Sequence, residues 1–133
     1  MKQLTLYRAD QETQYRYIGF AAFRELADML EGYPFEDDVL EKAAIHKENF
    51  LDYGNANDTT SIPSINATLR VSPDAEKESD GDTLKITFED FNIVDGRSKL
   101  AALTLLDAEW LDNNYVKINL FILDKESMDR LYA

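Results

Sequence analysis

Residues 91–106 read FNIVDGRSKLAALTLL, and this stretch decides the fold. Phe91-Asn92-Ile93-Val94 reads as a short apolar strand, and Asp95-Gly96 as a turn. Leu100, Ala101, Leu103, Thr104, Leu105 and Leu106 supply the pattern of a strongly apolar helix. A buried strand that passes through a glycine turn directly into a helix needs both a sheet and a helical layer, so the chain reads as α+β. In such a unit the first N–H groups of the helix face the crevice beyond the strand end. Glycine there lets a ligand approach the backbone. Arg97 and Lys99 occupy the first turn, where cations oppose the helix dipole. A bound anion would compensate them, and the Ser98 hydroxyl could donate to a phosphate. The competing reading has Asp95 as an N-cap, with Arg97 and Lys99 in solvated pairs with nearby carboxylates.

Outward from this unit, Asn113-Asn114 breaks the chain before a strand at Tyr115–Leu123, and a short helix is expected at Lys125–Tyr132. Upstream, Leu84, Ile86 and Phe88 alternate as a strand, as do Ile65, Ala67, Leu69 and Val71. The segment Ser72–Asp82 reads as a polar hairpin loop, and Tyr53–Ser61 as another loop. The first third reads as helical. Phe20, Phe23, Leu26, Ala27 and Leu30 recur at three- and four-residue steps, and Gly32 stops that helix. Pro34 is expected in the first turn of the next helix, with Glu36, Asp37 and Asp38 beside it. Val39, Leu40, Ala43, Ala44, Phe50 and Leu51 form its buried stripe. The expected order is α-α-β-β-β-α-β-α: one α+β domain over 1–133 with a small mixed sheet, mainly helical over 1–52, with the strand–turn–helix unit inside 62–133.

Composition narrows the chemistry. The chain has 133 residues, 14 Lys and Arg against 26 Asp and Glu, a formal net charge of −12, no cysteine and one histidine, His46. Disulfides, thiolate metal sites and cysteine nucleophiles are excluded, and a histidine metal cluster with them. An acidic shell disfavours general coating of nucleic acid or of anionic membranes, so direct DNA binding is not expected. The N-terminus lacks the apolar run of a signal peptide and no segment approaches a membrane span, so a cytoplasmic protein is expected, in a bacterial or phage-infected host cell. Without a nucleophile system or a metal cluster, a binding domain is favoured over an enzyme.

The segment IVDGRSKLAAL resembles the signature of the ParB/sulfiredoxin-like superfamily, most closely its DGQHR-motif branch. Ile93, Val94, Asp95, Gly96, Leu100, Ala102 and Leu103 match that pattern. Arg97, Ser98 and Lys99 replace the Gln, His and Arg of the motif. The resemblance implies a ParB-like scaffold and a nucleotide or other phosphate held by Asp95, Gly96, Arg97, Ser98 and Lys99. It also implies a nucleoside triphosphate with Mg²⁺ as the cofactor, and a setting in DNA modification or phage defence. Ser98 cannot act as the histidine would, and Lys99 offers a point charge in place of a planar fork. Anion binding therefore survives these changes better than catalysis does.

The acidic surplus offers a second reading. Asp74, Glu76, Glu78, Asp80 and Asp82 lie in one short segment, with Glu89 and Asp90 close behind. They could imitate DNA phosphates and bind a basic nucleic-acid-handling protein, as small inhibitors of restriction or CRISPR machinery do. Otherwise they are a solvated surface. Lys2, Arg8, Arg16 and Arg24, with Tyr7, Tyr15 and Tyr17 between them, make the first 24 residues mildly basic. That segment could be a small nucleic-acid or partner contact, or simply a surface strand or arm. His46 is expected to be solvated or capping, and Trp110 a core or rim anchor.

Overall fold

Leu4 and Leu6 are fully buried between more exposed neighbours, the period-two pattern of a strand. The chain accordingly opens with β1 (Lys2–Gln11) and β2 (Arg16–Ala22), paired antiparallel. The computed structural model describes residues 2–13, 15–53, 66–71 and 75–122. The remaining elements are α1 (Phe23–Met29), α2 (Asp37–Tyr53), β3 (Asn66–Val71), β4 (Glu76–Asp80), β5 (Thr83–Phe88), β6 (Phe91–Asp95), α3 (Arg97–Leu103), α4 (Ala108–Asn113) and β7 (Tyr115–Ile122).

The strands form one seven-stranded sheet in the order β4-β5-β1-β2-β7-β3-β6. Every neighbouring pair is antiparallel except β3 with β7, which run parallel, so the sheet is mixed. One face is apolar: Leu4, Leu6, Ala21, Leu69, Ile86 and Ile118 are fully or almost fully buried against helical residues such as Phe23, Leu26, Phe50 and Leu100. The α+β class and the mixed sheet are as the sequence indicates.

Several expectations are corrected. Lys2–Gln11 and Arg16–Ala22 are strands, and the helices of the first third lie within 23–53. Phe20 belongs to β2 and is exposed; α1 starts only at Phe23 and buries Phe23, Leu26 and Met29. Pro34 precedes α2 by three residues, where the Glu36 carbonyl accepts from Leu40 N–H. On α2, Ala43 and Phe50 are buried, whereas Ala44, Leu40 and Leu51 are exposed. The Ser72–Asp82 segment is not all loop: Glu76–Asp80 is a strand, every residue of it exposed, paired with β5 at the sheet edge. Helix α3 ends at Leu103, short of Leu105 and Leu106. The loop expected after Tyr53, Ile65 and the C-terminal helix at 125–132 lie outside the described residues. Trp110 is a core residue of α4, whose N-terminus is capped by the Asp107 carboxylate accepting from Trp110 N–H.

Candidate functional site

The strand–turn–helix unit forms as its residues dictate. Ile93 is buried in β6, Gly96 takes the left-handed conformation (φ 84°), and Leu100 to Leu103 are buried on α3. A positive φ at this corner explains the glycine. The Asp95 carboxylate turns onto the corner itself, its Oδ1 accepting from Gly96 N–H at 2.9 Å. Arg97 folds back so that Nη2 donates to the Ile93 carbonyl at 3.1 Å. The Gly96 amide is therefore taken, and the expected Asp95 N-cap does not form, since the cap residue of α3 is Gly96 and no side chain caps it. Helix α3 has only seven residues, and the charge available to a ligand comes from side chains.

Those side chains do converge. An open groove of about 540 Å³ is lined by Val39 and Lys42 of α2, Val94 of β6, and the run from Asp95 to Lys99. Lys42 and Arg97 are exposed, Ser98 and Lys99 half-buried. Three cations thus share one groove with a single carboxylate, in a chain of net charge −12. His46, one turn further along α2, is half-buried near the same groove. Burial and the neighbouring Lys99 ammonium both lower its pKa from the usual imidazole value. All five residues expected from the sequence lie in the groove lining. Lys42 was not expected, because its placement depends on α2 packing against α3, which no local pattern encodes.

The carboxylates of the second reading separate. Asp74 lies outside the described residues. The register pairs Glu76 with Thr87, Glu78 with Lys85 and Asp80 with Thr83, so the three acids share one face of edge strand β4. Lys77 points the other way, and its Nζ donates to the Tyr17 hydroxyl at 3.3 Å while lying 5.5 Å from that ring's centroid. Asp82 is in the β4–β5 turn, where its carbonyl accepts from Ala9 N–H.

The basic N-terminal segment is largely structural. Lys2 Nζ donates to the Met29 carbonyl, Arg16 to Asn119 Oδ1, and Arg24 pairs with Asp112 at 2.8 Å. Among the described residues no helix is long and apolar enough to cross a membrane, and no group of three or more His, Asp or Glu side chains could hold a metal ion. No family model, curated protein or solved structure matches the chain.

Proposed function

We propose that this chain is a small acidic domain that binds a nucleotide or other phosphate-bearing ligand in the groove between α2 and the β6–α3 turn. The observation that carries this reading is the convergence of Lys42, Arg97 and Lys99 on one groove of an otherwise acidic chain. Clustered like charges raise one another's electrostatic energy, and an anion relieves it. Lys42 and Lys99 reach the groove from different helices, so they grip a phosphate from two directions. The Ser98 hydroxyl supplies a neutral donor, and Asp95 holds the turn. Any Mg²⁺ would arrive with the nucleotide. The resemblance of residues 93–103 to the ParB/DGQHR motif supports the same chemistry and a setting in DNA modification or phage defence.

Calorimetry with ATP and CTP, each with Mg²⁺, tests this reading against the Lys42→Ala, Arg97→Ala, Lys99→Ala triple variant and against Gly96→Val. Binding by the wild-type chain that is lost in the triple variant supports it. No binding to either nucleotide, or equal binding by wild type and triple variant, rejects it.

The alternative reading, an acidic inhibitor of a basic nucleic-acid-handling protein, is favoured by the edge position of β4. Glu76, Glu78 and Asp80 present three carboxylates at alternate positions on an exposed strand. Such a row would give salt-sensitive association with a basic groove. Binding to a basic partner that persists after Glu76→Gln, Glu78→Gln, Asp80→Asn substitution rejects this alternative.

A further inference from the structure

We infer that the sheet face opposite the helices is the interface of a two-fold symmetric dimer of this chain, with Tyr7 at the axis. Asp80 pairs with Thr83 across β4 and β5, Tyr7 with Phe20 across β1 and β2, and Phe20 with Lys117 across β2 and β7. The β1–β5 register, which sets Leu6 opposite Leu84, carries Thr83 next to Tyr7. One row across five neighbouring strands therefore runs Asp80, Thr83, Tyr7, Phe20, Lys117. Tyr7 stands at its middle, with a carboxylate two strands away on one side and an ammonium two strands away on the other. Tyr7, Phe20 and Tyr115 stay 43%, 38% and 51% exposed, whereas Phe23, Phe50 and Phe88 are fully buried in the core. Tyr115 widens this apolar centre, its ring meeting Tyr7 edge-on at 5.7 Å. The three rings and Arg8 line an open hollow of about 350 Å³.

The order of charges selects the occupant. Glu76 and Glu78 stand beside Asp80 on the same face of β4, with Lys85 of β5 opposite Glu78. On β2, β7 and β3 the register puts Arg16, Lys117 and Arg70 on that face, and these three strands contain no carboxylate at all. Asp10 of β1 and Asp95 of β6 lie outside the Tyr7 row. A polyanion would meet the carboxylates of β4, and a polycation the cations of β2, β7 and β3. The fitting partner presents the reverse order, as does a second copy given half a turn about an axis through Tyr7, parallel to the strands. In that isologous contact Asp80 faces the second copy's Lys117, Lys117 faces its Asp80, and Tyr7 meets Tyr7. Sheets pack face to face about 10 Å apart, a gap that these side chains span from both sides. Seven strands about 4.8 Å apart and about 20 Å long present on the order of 700 Å² a side. That is close to the roughly 800 Å² per partner of a stable interface. The net charge of −12 on each copy opposes approach at long range. Salt screens it beyond about 8 Å, and the facing side chains meet inside that distance.

The test is sedimentation equilibrium at about 150 mM NaCl and up to about 0.5 mM chain, with folding of each variant checked by circular dichroism. The wild-type chain is expected to dimerise reversibly. Lys117→Glu and Asp80→Lys should each weaken dimerisation by about tenfold or more, because each sets like charges together at both symmetry-related contacts. Mixing the two variants should restore dimers: at one contact Asp80 again faces Lys117, and at the other the introduced ammonium faces the introduced carboxylate. The Asp80→Lys, Lys117→Glu double variant should dimerise by itself for the same reason. Tyr7→Glu should dissolve the dimer by bringing two carboxylates to the axis. The Lys42→Ala, Arg97→Ala, Lys99→Ala variant should dimerise as wild type does, which separates this interface from the α2–α3 groove. A wild-type chain that stays monomeric overturns the proposal and leaves the face to a partner of another kind. Dimers that survive both charge reversals or Tyr7→Glu, or that fail in the Lys42, Arg97 and Lys99 variant, overturn it as well, as does a mixture of the two reversed variants that remains monomeric.

Discussion

His46 on α2 lies within electrostatic reach of Lys99 on α3, and burial together with that ammonium holds its imidazole below the usual value. Because His46 is the only histidine, its ring resonances report on the groove without overlap. An NMR titration should give a pKa below about 6.5. Lys99→Ala should raise it only part of the way, since burial is the larger cause. A phosphate ligand bound in the groove should raise it, by favouring the imidazolium. A pKa unmoved by saturating ATP or CTP would separate the imidazole from any bound phosphate.

The same shift fixes a sign for stability. The folded chain binds the His46 proton less readily than the unfolded chain. Its contribution is therefore fully present above about pH 6.5 and is lost as pH falls toward the folded pKa. His46→Gln should flatten that part of the curve of unfolding free energy against pH. An unchanged slope in urea melts across this window would contradict the assignment.

Gly19 of β2 packs directly against β1. A Cβ there would stand 2.9 Å from Leu6 Cβ and 3.1 Å from the Tyr7 carbonyl oxygen. Gly19→Ala should destabilise the fold by about 1–3 kcal/mol through overpacking between central strands. Gly32→Ala meets nothing within 4 Å, but its φ of 77° makes the substitution cost about 1–2 kcal/mol from backbone strain alone. Urea unfolding that ranks Gly32→Ala as the more damaging change would reverse this account.

These positions also show which parts of the fold could be read from the sequence. Leu84, Ile86 and Phe88, or Val116, Ile118 and Leu120, carry large apolar side chains on the buried parity, so β5 and β7 announce themselves. In β2 the buried parity holds Tyr17, Gly19 and Ala21, while Ile18 and Phe20 occupy the other face. The larger apolar residues thus sit on the wrong parity for a strand, and Phe20 joins Phe23 and Leu26 in an apparent helical period. Gly19 is needed because β1 lies against it, where a Cβ would meet Leu6, Tyr7 and Ala9. Strand β4 is hidden for another reason: with all five residues exposed, nothing alternates. The Asp95–Lys99 turn was legible because its glycine and charges are local. Lys42 and the face shared by Tyr7, Phe20 and Tyr115 were not, because both arise from pairing between distant segments.

Asn114 joins α4 to β7 from inside the core. Its Nδ2 donates to the Trp110 carbonyl at 2.9 Å, and its own carbonyl accepts from Phe23 N–H at the start of α1. It is 1% exposed. Asn114→Leu keeps the size but removes the donor to a carbonyl at the end of α4. The expected loss is about 1–3 kcal/mol, the cost of leaving a buried acceptor without its partner. Asn114→Ala should lose the packing as well. Thermal melts should place both variants below wild type, and a melt of Asn114→Leu equal to wild type would show that the Trp110 carbonyl finds another donor.

Arg24 of α1 and Asp112 of α4 make an exposed ion pair across 88 residues of sequence. The hydrogen bond from Arg24 depresses the Asp112 pKa, and the same pairing raises that of Arg24. A depressed carboxylate contributes stability above its unfolded pKa of about 3.9, and that contribution is lost as pH falls through the folded value. Both side chains remain well exposed, so solvent and salt screen the pair and its effect at neutral pH is small. Arg24→Ala should return the Asp112 pKa toward its ordinary value, read from carboxyl carbon shifts. Asp112→Asn should leave the neutral-pH melting temperature in high salt nearly unchanged while removing one source of acid sensitivity. A large loss of stability in high salt would mean that these side chains hold α1 against α4 by packing instead of charge.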